Sequence, residues 1–395
     1  MEIEKIKELA HSFFEKVQGI RRHLHQFPEL SFEEEKTSAL VCEILDELDI
    51  PYQKNVGGYG VVGRIEGQGG PGPCIALRAD MDALPIQEKN EVTYTSKVPG
   101  VMHACGHDVH TASLLGTAMI LKTLSKEIKG SVKLIFQPAE EQLPGGASLM
   151  IEQGVLEDPK PICILGQHVF PSMETGKVGF RPGKYMASTD EIRLWVRGKG
   201  GHGALPHKCV DPILISAHII TALQSLVSRK ADPTLPCVLT IGKIESEGGA
   251  TNIIPNSVYM EGTLRTMDEV WRAEARAQIE KLSMQIAASM GGACEVEIKK
   301  GYPHLANAPQ LTQQLSKWAS TYLGQEQVEE LPIRMTAEDF AFYTHHTQAC
   351  FYRLGTGNAK RGIVAPVHTD TFDVDEQSLI HGSGLMAYLA LSLLK

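Results

Sequence analysis

The stretch CIALRADMD occupies residues 74–82, and two others share its design: SVKLIFQPAEE at 131–141 and ICILGQH at 162–168. Each opens as a short apolar run, the signature of a strand buried on both faces. Each then ends in ionisable residues: Asp80 and Asp82, Glu140 and Glu141, and His168. In an open α/β sheet, ligands bind beyond the carboxyl ends of the strands. The three polar groups are therefore expected at one edge of one sheet. Strands and helices alternate through this half of the chain, which predicts an α/β fold with helices flanking a central sheet.

The segment HACGHDVH (103–110) places Cys105 and His107 two residues apart on a glycine-containing loop, with a helix expected after Asp108. A thiolate and an imidazole so spaced can reach one metal ion; the plainer reading is a capping Asp108 beside an incidental Cys and His. Arrival of Glu141 and His168 at the same sheet edge favours the metal. Nitrogen, thiolate and carboxylate donors together suit zinc, manganese, cobalt or nickel, not magnesium. Adjacent acids are ordinarily a solvated turn, as at Glu33–Glu35 or Glu329-Glu330. Glu140 and Glu141 instead follow a buried strand, and neighbouring side chains diverge. One carboxylate can then bind metal while the other faces a reacting water as general base. One of Asp80 and Asp82 is a candidate to orient a ligand. His368 stands alone in PVHTDTF, after the strand-like run IVAPV.

Further out, apolar positions at helical spacing (Ile3, Ile6, Leu9, Phe13, Val17, Ile20, Leu24) make the N-terminus an amphipathic helix rather than a signal peptide. Further helices are predicted near 33–49, 108–125, 211–229, 268–290, 308–322 and 375–394. Strands are predicted near 59–66, 73–79, 131–137, 162–169, 188–197, 236–245, 257–265 and 294–300. From about 184 to 300 the order becomes strand, helix, strand, strand, helix, strand. In EIRLWVRG (191–198), Ile192, Leu194 and Val196 point one way, so one face of this sheet is covered and the other open. Residues 184–300 are thus expected to be an inserted α+β domain with a four-stranded sheet and two helices. Hinges fall near Pro182-Gly183 and Gly301-Tyr302-Pro303, and 1–183 with 301–395 make the first domain.

A length of 395 residues fits two domains. Apolar residues make up 43% and charged residues 22%, ordinary for a globular chain, and the net charge of −9 comes without a basic run. Nucleic acid is therefore not an expected partner. No window is long and apolar enough for a transmembrane helix, so no membrane partner is expected. The eight cysteines lack framework spacing, and apart from Cys105 they read as buried thiols of a cytoplasmic protein.

Landmarks along almost the whole chain carry a more specific message. They are RRHLHQFPELSFEE (21–34), LRADMDALP (77–85), HACGHDVHTA (103–112), FQPAEE (136–141) and GQHV (166–169), then GKGGHGALPH (198–207), ATNIIPN (250–256), GTLRT (262–266), MTAEDF (335–340) and VHTDTF (367–372). In this order they resemble the M20 metallopeptidase family, in particular its amidohydrolase branch of aminoacylases, hippurate hydrolases and auxin-conjugate hydrolases. The resemblance implies a zinc-peptidase-like catalytic domain with an inserted lid, and a homodimer through that lid. It implies two divalent ions (Zn, Mn, Co or Ni) held by Cys105, His107, Glu141, His168 and His368. It makes Glu140 the general base, Asp82 the aspartate behind the ligands, and His202, Asn252 and Arg265 the substrate-binding residues of the lid. The implied substrate is a small N-acyl amino acid, and a dipeptidase or carboxypeptidase on the same metals is the alternative. Hydrolysis by Cys105 as nucleophile with His107 is a third possibility, but it leaves the strand-end carboxylates without a task. A catalytically silent metal-binding protein is a fourth. One departure stands out: where many relatives have proline two residues after the last histidine, this chain has Asp370.

Overall fold

The structure is a computed structural model that describes residues 2–395, with the side chain of Glu2 left aside. The chain divides into two compact units. Unit 1 comprises the chain up to Gly183 with Ala306–Pro332 and Asp339–Lys395; unit 2 comprises Lys184–Leu305 with Ile333–Glu338.

Unit 1 is built on an eight-stranded sheet. Its strands are β1 (Tyr52–Val56), β2 (Gly60–Glu66), β3 (Cys74–Asp80), β4 (Ser131–Gln137), β5 (Pro161–Glu174), β6 (Val178–Phe180), β7 (Val328–Glu330) and β8 (Gln348–Gly357). They lie in the order β1-β2-β4-β3-β5-β8-β6-β7. The four central strands β4, β3, β5 and β8 are parallel. β3 and β4 are buried along their whole length, as their unbroken apolar runs require. Six helices of this unit matter here: α1 (Glu2–Gln26), α2 (Glu35–Glu47), α3 (His107–Thr123), α4 (Gly146–Glu152), α5 (Pro309–Leu323) and α6 (Ser378–Leu393). The core gathers Ile6, Val17 and Leu24 of α1, the buried length of α3, and Leu385 and Leu389 of α6. β8 is absent from the sequence-based assignment, and IVAPV (363–367), expected as strand-like, forms only an isolated bridge from Ile363 to Asn358.

Unit 2 carries a four-stranded antiparallel sheet of Asp190–Arg197, Cys237–Ser246, Ser257–Thr266 and Ala293–Lys300. Ile192, Leu194 and Val196 are fully buried in one cluster with Ile215 and Ile219 of helix Pro212–Ser225 and Ile279 of helix Glu269–Ser289. One face of the sheet is thus covered by both helices, as the alternation predicts. Beneath it lies a buried ion pair: Arg272 donates from Nε and Nη2 to the two oxygens of Asp190 at 2.9 and 2.8 Å. Both side chains are wholly buried. Removing the guanidinium strands a carboxylate in the interior, so Arg272→Ala is expected to destabilise this unit by about 3–5 kcal/mol. Denaturant unfolding checks this, and an unchanged midpoint would contradict it.

Candidate metal centre

In unit 1 the acids that follow β3 and β4 gather with His168, which lies within β5 (Pro161–Glu174) and not at its end as the sequence predicts. His107 opens α3 just after Gly106, which has φ +81°; a Cβ there would meet Val169 at 2.5 Å. Glycine is therefore demanded by both the left-handed turn and the close approach. Glu140 and Glu141 follow β4 through Ala139, a non-glycine residue at φ +51°. His368 sits at φ +64°. Such backbone costs on the order of 1–3 kcal/mol and persists only where its surroundings enforce it. At Ala139 the enforcement is visible: its N–H donates to the buried Glu34 at 2.7 Å, and its carbonyl accepts from Gly146 at 2.9 Å.

Among the candidate ligand sets of the described residues, which include His107–Glu140–Glu141, two overlap at Cys105: Cys105–His107–His168 and Cys105–Glu141–His368, each with all atoms within 4.8 Å of one another. Cys105 belongs to both. Its sulfur is 3.5 Å from His168 Nε2 and 3.3 Å from His368 Nε2, which stands 3.1 Å from Glu141 Oε1. Donors bound at about 2.0–2.3 Å around a shared tetrahedral ion stand about 3.2–3.8 Å apart, close to these values. His107 Nδ1 bonds to Asp82 Oδ1 at 3.1 Å and His168 Nδ1 to the carbonyl of Val169 at 2.8 Å. Such bonds orient an imidazole and leave the other nitrogen to act as a ligand. His107 Nε2 is in fact buried with no hydrogen-bond partner. Asp82 also accepts from Ser31 Oγ at 2.6 Å and from the N–H of Glu141 at 2.9 Å, tying the His107 and Glu141 sides together.

The electrostatics point the same way. Burial pushes the Cys105 thiol well above its usual value, and Glu141, Glu140 and Asp80 push it further. Burial opposes a charged His107, yet Asp80, Asp82 and Glu141 outweigh it and raise the imidazole to about 10. The cluster holds more negative charge than its own cations neutralise, and its sulfur, nitrogen and oxygen donors fit divalent zinc-like ions.

Asp370 belongs to none of the candidate ligand sets among the described residues. Its carboxylate pairs with Lys89 Nζ at 2.6 Å, and its carbonyl accepts from the Lys89 N–H at 2.8 Å. In unit 2, His202 is exposed on a two-residue strand facing Ile253, and the Asn252 carbonyl accepts from the N–H of Gly203 at 2.8 Å, so His202 and Asn252 are neighbours. Arg265 lies with Glu261 and Thr263 on the half-buried face of its strand, opposite the buried Met260 and Leu264. Among the described residues its guanidinium has no hydrogen-bonded or ion-paired partner, and burial lowers its pKa.

Sequence reasoning named Asp80 as a candidate to orient a ligand but assigned no role to Arg78, His110, Gln137 or Asp339, which bond with it or with one another. Arg78 of β3 is 1% exposed and donates to Asp80, to Gln137 and to Asp339. Asp80 bonds in turn to His110 Nδ1, and His110 Nε2 accepts from the N–H of Val169 at 2.8 Å. The available signal was the arginine inside CIALRAD, since a charged residue in a buried strand requires a buried partner.

Residues 76–392 match peptidase family M20/M25/M40. The chain belongs to that family and is a hydrolase of amide bonds. N-acyl-L-amino acid amidohydrolase of Geobacillus stearothermophilus is 43% identical over 309 residues, 77% of this chain and 81% of that protein. Thermostable carboxypeptidase 2 of Saccharolobus solfataricus is 41% identical over 392 residues, 98% of each chain. The crystal structure of the YxeP protein of Bacillus subtilis, described as a dinuclear metal binding peptidase, is 34% identical, with a TM-score of 0.81 over 97% of this chain and 99% of that one.

Proposed function

We propose that the protein hydrolyses the amide bond of N-acyl-L-amino acids, releasing a carboxylate and a free amino acid, with two divalent metal ions held by Cys105, His107, Glu141, His168 and His368. The observation that carries this is the meeting of those five side chains in two ligand sets that share Cys105, with the Glu140 carboxylate beside them, close to His107 and Glu141. When bound, the ions supply Lewis acidity, polarising the amide carbonyl and easing ionisation of water near neutral pH. The protein's own groups do the rest. Glu140 takes a proton from the attacking water and delivers it to the leaving nitrogen. Asp82 fixes the His107 ring. His202 donates to the oxygen that gains charge in the tetrahedral transition state. Arg265, with Asn252, holds the substrate's α-carboxylate, a pairing for which a planar guanidinium is suited. In this reading residues 184–300 are the lid, and the protein is a homodimer through them; light scattering giving the mass of one chain would contradict the dimer.

A second reading, carboxypeptidase action, is favoured by the similarity to thermostable carboxypeptidase 2. Both substrates present an amide next to a free carboxylate. A panel of N-acetyl and N-aroyl amino acids beside unblocked dipeptides and longer N-blocked peptides separates them. The proposal expects kcat/KM to be highest for the N-acyl amino acids. Faster cleavage of the peptides would overturn it in favour of the second reading.

A further inference from the structure

Asp339 is wholly buried in unit 1 and touches both ends of the loop that carries the acid pair. Its Oδ1 accepts from Arg78 Nη2 at 2.7 Å and from Gln137 Nε2 at 2.9 Å. Its Oδ2 accepts from Gln137 Nε2 at 2.7 Å and from the N–H of Ala147 at 3.0 Å. Gln137 closes β4 immediately before Pro138-Ala139-Glu140, and Ala147 lies in the first turn of α4 just after the loop. The main-chain N–H of Asp339 itself donates to Glu140 Oε1 at 3.3 Å. One residue thus grips the loop at entry and exit and also holds the carboxylate that the loop presents.

The amide of Gln137 can face only one way in this arrangement. Its Oε1 accepts from Arg78 Nε at 2.9 Å, so its Nε2 is the end that meets Asp339. The four bonds to the Asp339 carboxylate named above all come from donors, so at these contacts both Asp339 oxygens serve as acceptors, while carboxylate oxygens of Glu140 and Glu338 lie within 4.8 Å.

We propose that Asp339 is a positioning residue for the hydrolysis, acting through Glu140 by fixing the 138–145 loop and by its own N–H. This rests on the reading of Glu140 as the base. Misplacement of a reacting group by about 1 Å from a change behind it can cost about 100-fold in rate. Asp339→Asn turns an NH2 group towards donors and is expected to lower kcat about 10- to 100-fold, with KM little changed and metal content at the parent level. Adding Gln137→Glu exchanges amide and carboxylate across the same contact, so the double variant D339N/Q137E should regain much of the lost kcat. That rescue is not expected if Asp339 merely adds stability. Should D339N fail to fold, Gln137→Met removes one donor yet keeps the Arg78–Asp339 pair, and the same selective loss of kcat is expected. Glu140→Gln is measured alongside. If that variant keeps parent turnover, the reading of the base fails, whatever Asp339 does. If it is inactive while folded D339N, or Q137M in its place, keeps parent kcat or changes KM alone, the positioning role is overturned.

Discussion

Glu140→Gln is expected to retain both metal ions and to lose about two to four powers of ten in kcat, the range that general-base catalysis supplies. The substitution keeps shape and can still accept the N–H of Asp339 at Oε1. It removes the negative charge and with it the ability to take a proton. Glu141→Gln should behave differently, because that carboxylate stands 3.1 Å from His368 Nε2 in one of the two ligand sets. There the expected loss is metal affinity, and activity should partly return when excess metal is added. Near-parent kcat in Glu140→Gln would show that the base has been misassigned within the acid pair.

Methyl-esterifying the α-carboxylate of an N-acetyl amino acid should lower kcat/KM by about 30- to 5,000-fold, the equivalent of the 2–5 kcal/mol lost when a desolvated charge pair loses one partner. Arg265 motivates this value. It is half-buried on its strand, and among the described residues no carboxylate is hydrogen-bonded or ion-paired to it, Asp190 acting on it only from a distance, a state more demanding than that of a solvated surface arginine. In Arg265→Ala the acid and its ester should be used about equally poorly. An ester as good as the acid for the parent enzyme would refute carboxylate recognition and point to a general amidase.

Much of the fold and site could be read from the chain because the decisive strands are continuous apolar runs. β3 and β4 are buried throughout, and the residues ending them are the ones that meet at the sheet edge. β8 escaped because Arg353, Gly355 and Gly357 interrupt its apolar pattern, although every residue after Gln348 is buried. The lone helix turn pair of α4 has too few residues to display a period. Asp339 escaped for another reason: it meets Arg78 across 261 positions and Gln137 across 202, and no local pattern reports a contact made only by tertiary packing. The side on which Asp370 lies was equally invisible, since it depends on Lys89.

Metal content by elemental mass spectrometry together with N-acetyl amino acid hydrolysis, before and after chelation, tests the two-metal site directly. Two divalent ions per chain are expected, with loss of turnover as they are removed and recovery when zinc, manganese, cobalt or nickel is restored. Undiminished hydrolysis by metal-free protein would contradict the two-metal reading and return attention to Cys105 and His107 as nucleophile and base.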